Sequence, residues 1–345
     1  MTQDQTQKGK VAVFGATGHT ARFVVSELLR RGITPIAIAR DPVEVTKEVY
    51  SGRGVVCHQA TVDDAVSLDR AVEGAQVLVN CAGPFADTAD ALAQAALRAG
   101  IHYVDICAEQ LTAHKTLEKF DEPARKAGIV VLPSMAFYGG LADLMVTTAI
   151  GGDLSVVDSI EIMIGLDNWH PTNGTRVTIS RTVEPPMVVS GGRFTPLSPS
   201  SAPKNWNFEG SLGNQAMVEV PFSEIVLISR HVKTTELNNY INKLAVSDAT
   251  NPATPSPKAA DERGRSEQRF VIEVVITSDG KRRRAVVRGR DIYAVTAPLI
   301  SEAVTRLLAG NFRKTGASAP GEIFDAKEIL NALGSENATF EILTN

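Results

Sequence analysis

The stretch that most limits what this chain can fold into is residues 11–21, VAVFGATGHTA. An apolar run, Val11–Phe14, breaks into Gly15 and Gly18, and a helical pattern with one apolar face follows at once. Strand, glycine turn, helix is the order that a dinucleotide diphosphate needs. Gly15 permits the tight turn, and Gly18 lets backbone approach an anion with no Cβ between. The free N–H groups and positive dipole end of the new helix then face the phosphates. Ala21, standing where a third glycine is usual, is small enough for close helix–strand packing. The predicted cradle is Gly15, Thr17, Gly18, His19 and Thr20. An ordinary strand–turn–helix is the bland alternative, and the context on both sides favours the nucleotide.

From Lys10 to Pro133 the pattern alternates. Strand-like runs fall at 11–14, 35–39, 54–57, 76–80, 102–106 and 129–132, with helical patterns at 20–31, about 43–50, 64–73, 88–99 and 112–127. Gly32, Gly74, Gly100 and Gly128 sit just past four of these helices, where a left-handed cap is wanted. Strands buried on both faces and separated by helices predict an α/β fold, a Rossmann doubly wound parallel sheet. Beyond Pro133 a short helix at about 141–150 leads into strand-like segments at 157–166, 175–183, 216–220, 224–229, 269–277 and 283–289. The last two are joined by an Asp279-Gly280 hairpin turn. Helices are expected near 235–246 and 296–309, and a mobile surface loop over 249–267. This part reads as a second α+β domain on a mixed or antiparallel sheet. The predicted boundaries are 1–137 for the dinucleotide domain and 138–294 for the substrate and dimerisation domain, with 295–345 packing back on the first.

Composition narrows the partners. With 345 residues, 43% hydrophobic and 21% charged, the chain is an ordinary globular protein with room for two domains. A net charge of −4 gives no reason to expect nucleic acid or an anionic membrane. Cys57, Cys81 and Cys107 show no metal-ligand spacing and read as buried thiols in a reducing compartment, so no metal is expected. The N-terminus lacks an apolar leader pattern and no run is long enough to span a bilayer, which predicts a cytoplasmic protein.

At the end of the second strand a carboxylate would bind an adenosine ribose, whereas Arg40 stands there and suits a 2′-phosphate. NADP(H) is therefore favoured over NAD(H), with Asp41 competing if it turns inward. The fourth strand ends in Asn80-Cys81-Ala82-Gly83-Pro84-Phe85, a turn expected beside the cofactor, with Phe85 walling the substrate side. Asp105, at the carboxyl end of its strand, is a candidate for substrate binding or proton transfer with Tyr103; Glu109 follows four residues on. Tyr138 is a candidate proton donor beside Gly139 and Gly140, although no lysine follows it at i+4. On the substrate side, Trp169, His170 and Arg176 share one loop between two predicted strands. There His170 is a candidate general acid, and Arg176 or Arg181 a carboxylate clamp. The competing reading of each is structural: a strand end, a cap, or an aromatic plug in a hairpin loop.

The segments GATGHTA, NCAGPFADTADALAQAALRAGIHYVDICAE, GRDIYAVTAPLISEAVTRLLAG and APGEIFDAKEIL resemble the saccharopine dehydrogenase-like (saccharopine reductase) oxidoreductases. The resemblance covers the first domain and the last 55 or so residues. It implies an NADP(H)-type Rossmann domain, a second domain that supplies the substrate pocket and a possible homodimer interface, and hydride transfer to or from a small imine, enoyl or carbonyl substrate. Two alternatives stand beside it: an NmrA-like NADP-binding sensor without turnover, and a trans-acting enoyl reductase with a wide apolar groove for a lipid chain.

Overall fold

The computed structural model describes residues 9–151, 157–181, 185–198 and 204–344; residues 1–8 of the polar N-terminal segment and 182–183 of the predicted 175–183 strand lie outside it. The first part alternates strictly: β1 (Lys10–Phe14), α1 (His19–Arg30), β2 (Thr34–Ala39), α2 (Val43–Val49), β3 (Val56–Gln59), α3 (Ala65–Ala71), β4 (Val77–Asn80), α4 (Phe85–Ala99), β5 (His102–Asp105), α5 (Gln110–Ala127) and β6 (Val130–Leu132). Val11, Val13, Val77 and Val79 are wholly buried, as strands with helices on both faces require. Gly100 and Gly128 close α4 and α5 in the left-handed conformation, at φ 65° and 71°.

The second part runs α6 (Gly140–Ile150), β7 (Val157–Leu166), α7 (Asn173–Arg181), β8 (Met187–Ser190), β9 (Arg193–Pro196), β10 (Lys204–Phe208), β11 (Gly213–Glu219), α8 (Glu224–Ser229), β12 (Thr234–Asn242), α9 (Lys243–Thr250), β13 (Arg269–Ser278) and β14 (Lys281–Arg290). It closes with α10 (Thr296–Leu308), β15 (Gly316–Ala317), α11 (Pro320–Ile323), α12 (Ala326–Ala332) and β16 (Ala338–Thr344).

Two sheets result. One is parallel, in the order β15-β6-β5-β4-β1-β2-β3, so the chain reverses its direction of winding between β1 and β4. That switch point opens a crevice beyond the carboxyl ends of the strands. The other is mixed, in the order β10-β11-β12-β7-β13-β14-β16, with β8 attached to β12 and β9 to β8; β12 and β7 run parallel, and β13–β14 is the expected hairpin. The C-terminal segment serves both. Helix α10 packs on α1, where Arg31 pairs with Glu302 at 2.6 Å, and β15 extends the first sheet, while β16 pairs with β14 in the second.

Three expected elements come out differently. Residues 175–181 are helical, not a strand, because Thr172 Oγ1 accepts the Thr175 N–H at 3.1 Å and starts α7 despite its β-branched residues. Residues 224–229 are a short helix: EIVLIS is buried on nearly every side, and an all-apolar run has no period to separate strand from buried helix. The helix expected near 235–246 is β12 followed by α9. In β12, Leu237, Asn239 and Ile241 are all buried, the period-two signature of a strand.

Candidate functional site

The crevice is built from two turns pressed together. Gly15 has φ +76°, and a Cβ on it would lie 2.8 Å from the Cβ of Ala82, so the turns after β1 and β4 touch through a glycine. The Gly18 N–H donates to Gly15 O at 2.9 Å, and Tyr50 Oη donates to Ala16 O at 2.6 Å, fixing the loop. Among the described residues no side chain caps the start of α1, which leaves its first-turn amides facing the crevice. Among the described residues the Nε2 of His19 is buried without a partner, its ring edge-on to Phe23 and Tyr293 at 5.3 Å each. Burial lowers the His19 pKa, so the imidazole is neutral at pH 7. A cradle of this kind, with uncapped amides and no room for a Cβ at Gly15, fits a diphosphate.

At the end of β2, Thr17 Oγ1 donates to Asp41 Oδ2 at 3.0 Å. Arg40 is exposed, and among the described residues its guanidinium has no partner.

The turn after β4 is held from below. Asn80 Oδ1 accepts the Ala82 N–H at 2.9 Å, and its amide nitrogen donates to Thr88 and Tyr103. The carboxylate of Glu109 receives the N–H groups of Phe85 and Ala86 at 3.1 and 2.9 Å, the opening amides of α4. That places a negative charge at the positive end of a helix.

From this turn a cleft of about 1670 Å³ runs out between the two sheets as far as Met187 and Phe194, with mainly apolar walls. It brings together Thr20, Cys81, Gly83, Pro84, Phe85, Glu109, Tyr138 and Trp169. The Tyr138 ring packs on Phe222 at 4.2 Å and Trp169 at 5.5 Å, while its hydroxyl is sealed and without a hydrogen-bond partner among the described residues.

Three candidates lie elsewhere. Asp105 is wholly buried and fully used: it accepts from Ser134 N–H (2.7 Å), Cys107 N–H (2.9 Å) and Tyr103 Oη (2.9 Å). Burial raises its pKa to about 6, against the pull of those three donors. Arg176 turns away to the carbonyls of Asn251, at 3.2 Å, and Thr254. The His170 side chain does not line the cleft; its carbonyl accepts from Tyr293 Oη at 3.3 Å.

Tyr293 was missed. Its hydroxyl also meets Trp169 Nε1, Thr172 N–H and Thr175 Oγ1, each at 3.2 Å, and so fixes the whole approach to α7. The only signal for it in the sequence was the tail segment GRDIYAVTAP, which carries no local mark of such a hub.

Residues 11–132 match the family model of the saccharopine dehydrogenase NADP binding domain. A saccharopine dehydrogenase-like oxidoreductase of Rattus norvegicus is 27% identical over 171 residues, 44% of this chain and 40% of that protein. A lipid droplet localized protein of Caenorhabditis elegans is 25% identical over 252 residues, 64% of this chain and 58% of that protein. The matched part thus spans well under two thirds of each. The apo saccharopine dehydrogenase (L-Glu forming) of Saccharomyces cerevisiae superposes with a TM-score of 0.70 over 97% of this chain and 100% of that one, at 13% identity, which is a likeness of fold. Residues 11–132 are therefore an NADP-binding Rossmann domain of the saccharopine dehydrogenase type, and the chain as a whole is similar to saccharopine dehydrogenase-like oxidoreductases.

Proposed function

We propose that this protein is an NADP(H)-dependent reductase or dehydrogenase whose substrate is an apolar chain bearing a C=C or C=O bond. The observation that carries the reading is the continuity of the cleft: it starts at Thr20 and the Cys81–Phe85 turn and widens into apolar walls. Bound NADPH would supply a hydride from the nicotinamide C4, and bound NADP⁺ would accept one there. Gly15, Thr17, Gly18, His19 and Thr20 hold the diphosphate, and Arg40 takes the 2′-phosphate. Cys81, Ala82, Gly83 and Pro84 back the nicotinamide side, while Phe85, Tyr138 and Trp169 exclude water from the reacting bond.

A small polycarboxylate imine fits less well. Arg181, on the cleft wall, is committed to Asp87, and Arg176 faces outward, so neither clamps a carboxylate. The name of the worm relative, a lipid droplet localized protein, agrees with an apolar substrate. Among the described residues no helix is long and apolar enough to cross a membrane, and the three cysteines are unpaired. A reducing, cytoplasmic setting and a homodimer complete the proposal; light scattering tests the latter.

The deciding experiment titrates NADPH, NADP⁺ and NADH by calorimetry, then follows nicotinamide absorbance with long-chain enoyl thioesters, long-chain ketones and cyclic imines. NADPH-dependent turnover of the long-chain set alone is expected. Tight NADPH binding with no turnover across the panel would replace the enzyme with an NADP sensor, and turnover of imines alone would remove the apolar substrate.

A further inference from the structure

Helix α7 is the one helix among the described residues in which no residue is buried. It nevertheless forms part of the cleft wall through Thr175, Thr178, Ile179 and Arg181. Its near end is anchored to the second sheet's side of the molecule, by the Tyr293 hydroxyl and by Arg176 on the 251–254 carbonyls. Its far end reaches across to the first sheet's helices through polar groups. Thr178 Oγ1 donates to Glu109 Oε1 at 3.2 Å, and Arg181 grips Asp87 with two bonds of 2.6 and 2.9 Å. A Cβ on Gly83 would lie 3.7 Å from Thr178 Oγ1, so the helix rests on the turn after β4.

We propose that α7 is a lid over the cleft, hinged at Tyr293 and latched at its far end by Arg181 on Asp87. This rests on the reading of the cleft as the cofactor and substrate site. The physical case is the contrast between its two ends. A helix without buried side chains has little hydrophobic docking energy, and an exposed ion pair adds little to it. Release of the far end is therefore cheap, while the hinge stays fixed by a hydroxyl with several partners. Elements that gate active sites come from the low-stability end of a structure. Glu109 is the positioning residue. The same carboxylate holds the opening amides of α4, beside the cofactor turn, and the hydroxyl of Thr178, so lid closure is registered at the wall that backs the nicotinamide.

Two measurements test this on the full chain. Hydrogen exchange by mass spectrometry is expected to show α7 amides exchanging at least about tenfold faster than those of α4 in the free protein, and slowing when NADPH is added. Stopped-flow binding of cis-parinaric acid, a fluorescent fatty acid, reads the gate directly. Arg181→Glu sets two carboxylates against each other and is expected to raise both association and dissociation rates about threefold to fivefold, with the charge swap D87R/R181D restoring them. Both positions are well exposed, so neither variant threatens folding. Protection of α7 equal to that of α4, or rates indifferent to both variants, would overturn the lid. Failure of parinaric acid to bind the native protein would instead overturn the apolar-substrate reading, and the exchange result would decide the lid alone.

Discussion

The Thr17 hydroxyl donates to the Asp41 carboxylate across 3.0 Å, from the turn after β1 to the end of β2. Two residues that lie together in sequence, Arg40 and Asp41, are thereby separated in role. The Asp41 carboxylate is drawn back to the loop and the Arg40 guanidinium is left exposed, as the proposed contact with a 2′-phosphate requires. Arg40→Asp is expected to weaken NADPH about tenfold to hundredfold while altering NADH less than about threefold, since a charge-assisted phosphate contact is worth ~1.5–3 kcal/mol. Calorimetric titration of both coenzymes checks it; equal loss of both would take the selectivity away from Arg40.

Gly15→Ala meets two obstacles at once: a φ of +76° and the methyl of Ala82 at 2.8 Å. The substitution is expected to cost about 1–3 kcal/mol in urea unfolding and to abolish saturable NADPH binding. Retention of full affinity would show that the two turns need not touch for the cradle to work.

Glu224, at the start of α8, is wholly buried, with one oxygen on the Phe222 N–H at 3.0 Å and the other without a partner among the described residues. Burial raises its pKa from 4.5 to about 7. The folded state holds this proton more tightly than the unfolded chain does, so the stabilisation is complete below about pH 4.5 and is lost as pH rises through about 7. Glu224→Gln removes that loss. It should match the native protein at pH 4.5 and be more stable by about 3 kcal/mol at pH 8.5, read from denaturation midpoints at the two pH values. A difference that does not change with pH would mean the carboxyl is not sealed.

Glu109→Ala strips the acceptor from the Phe85 and Ala86 amides and from Thr178. A stability loss of about 1–2 kcal/mol is expected, with Glu109→Gln intermediate because a carboxamide keeps one accepting oxygen. An unaltered melting transition in Glu109→Ala would show that water replaces the carboxylate without cost.

What was readable in the chain depended on how local the cause was. The glycine turn at Gly15 and Gly18, the caps at Gly100 and Gly128 and the continuous apolar strands are decided within a few residues, and they specify the first sheet. Val177, Thr178 and Ile179 favour a strand by propensity, yet a cap from Thr172 and a hydroxyl from Tyr293, more than a hundred residues downstream, make the segment helical. The site divides along the same line. The cradle is written in one heptapeptide, whereas the orientation of Arg176 away from the cleft and the use of Asp105 as a buried fastener for Ser134 depend on partners far off in sequence. Asp105 has the right residue type at the right end of its strand, and only the positions of three donors around it distinguish a clamp from a ligand.

The division of the C-terminal segment between both sheets bears on biosynthesis. Val130–Leu132 is wholly buried in β6, and its outer neighbour Gly316–Ala317 leaves the ribosome almost two hundred residues later. Until then the nascent chain carries an apolar strand with an open edge, the kind of surface that recruits chaperones or pairs with the wrong neighbour. Translation, rather than the intrinsic speed of either sheet, therefore sets the moment at which the molecule can first become whole.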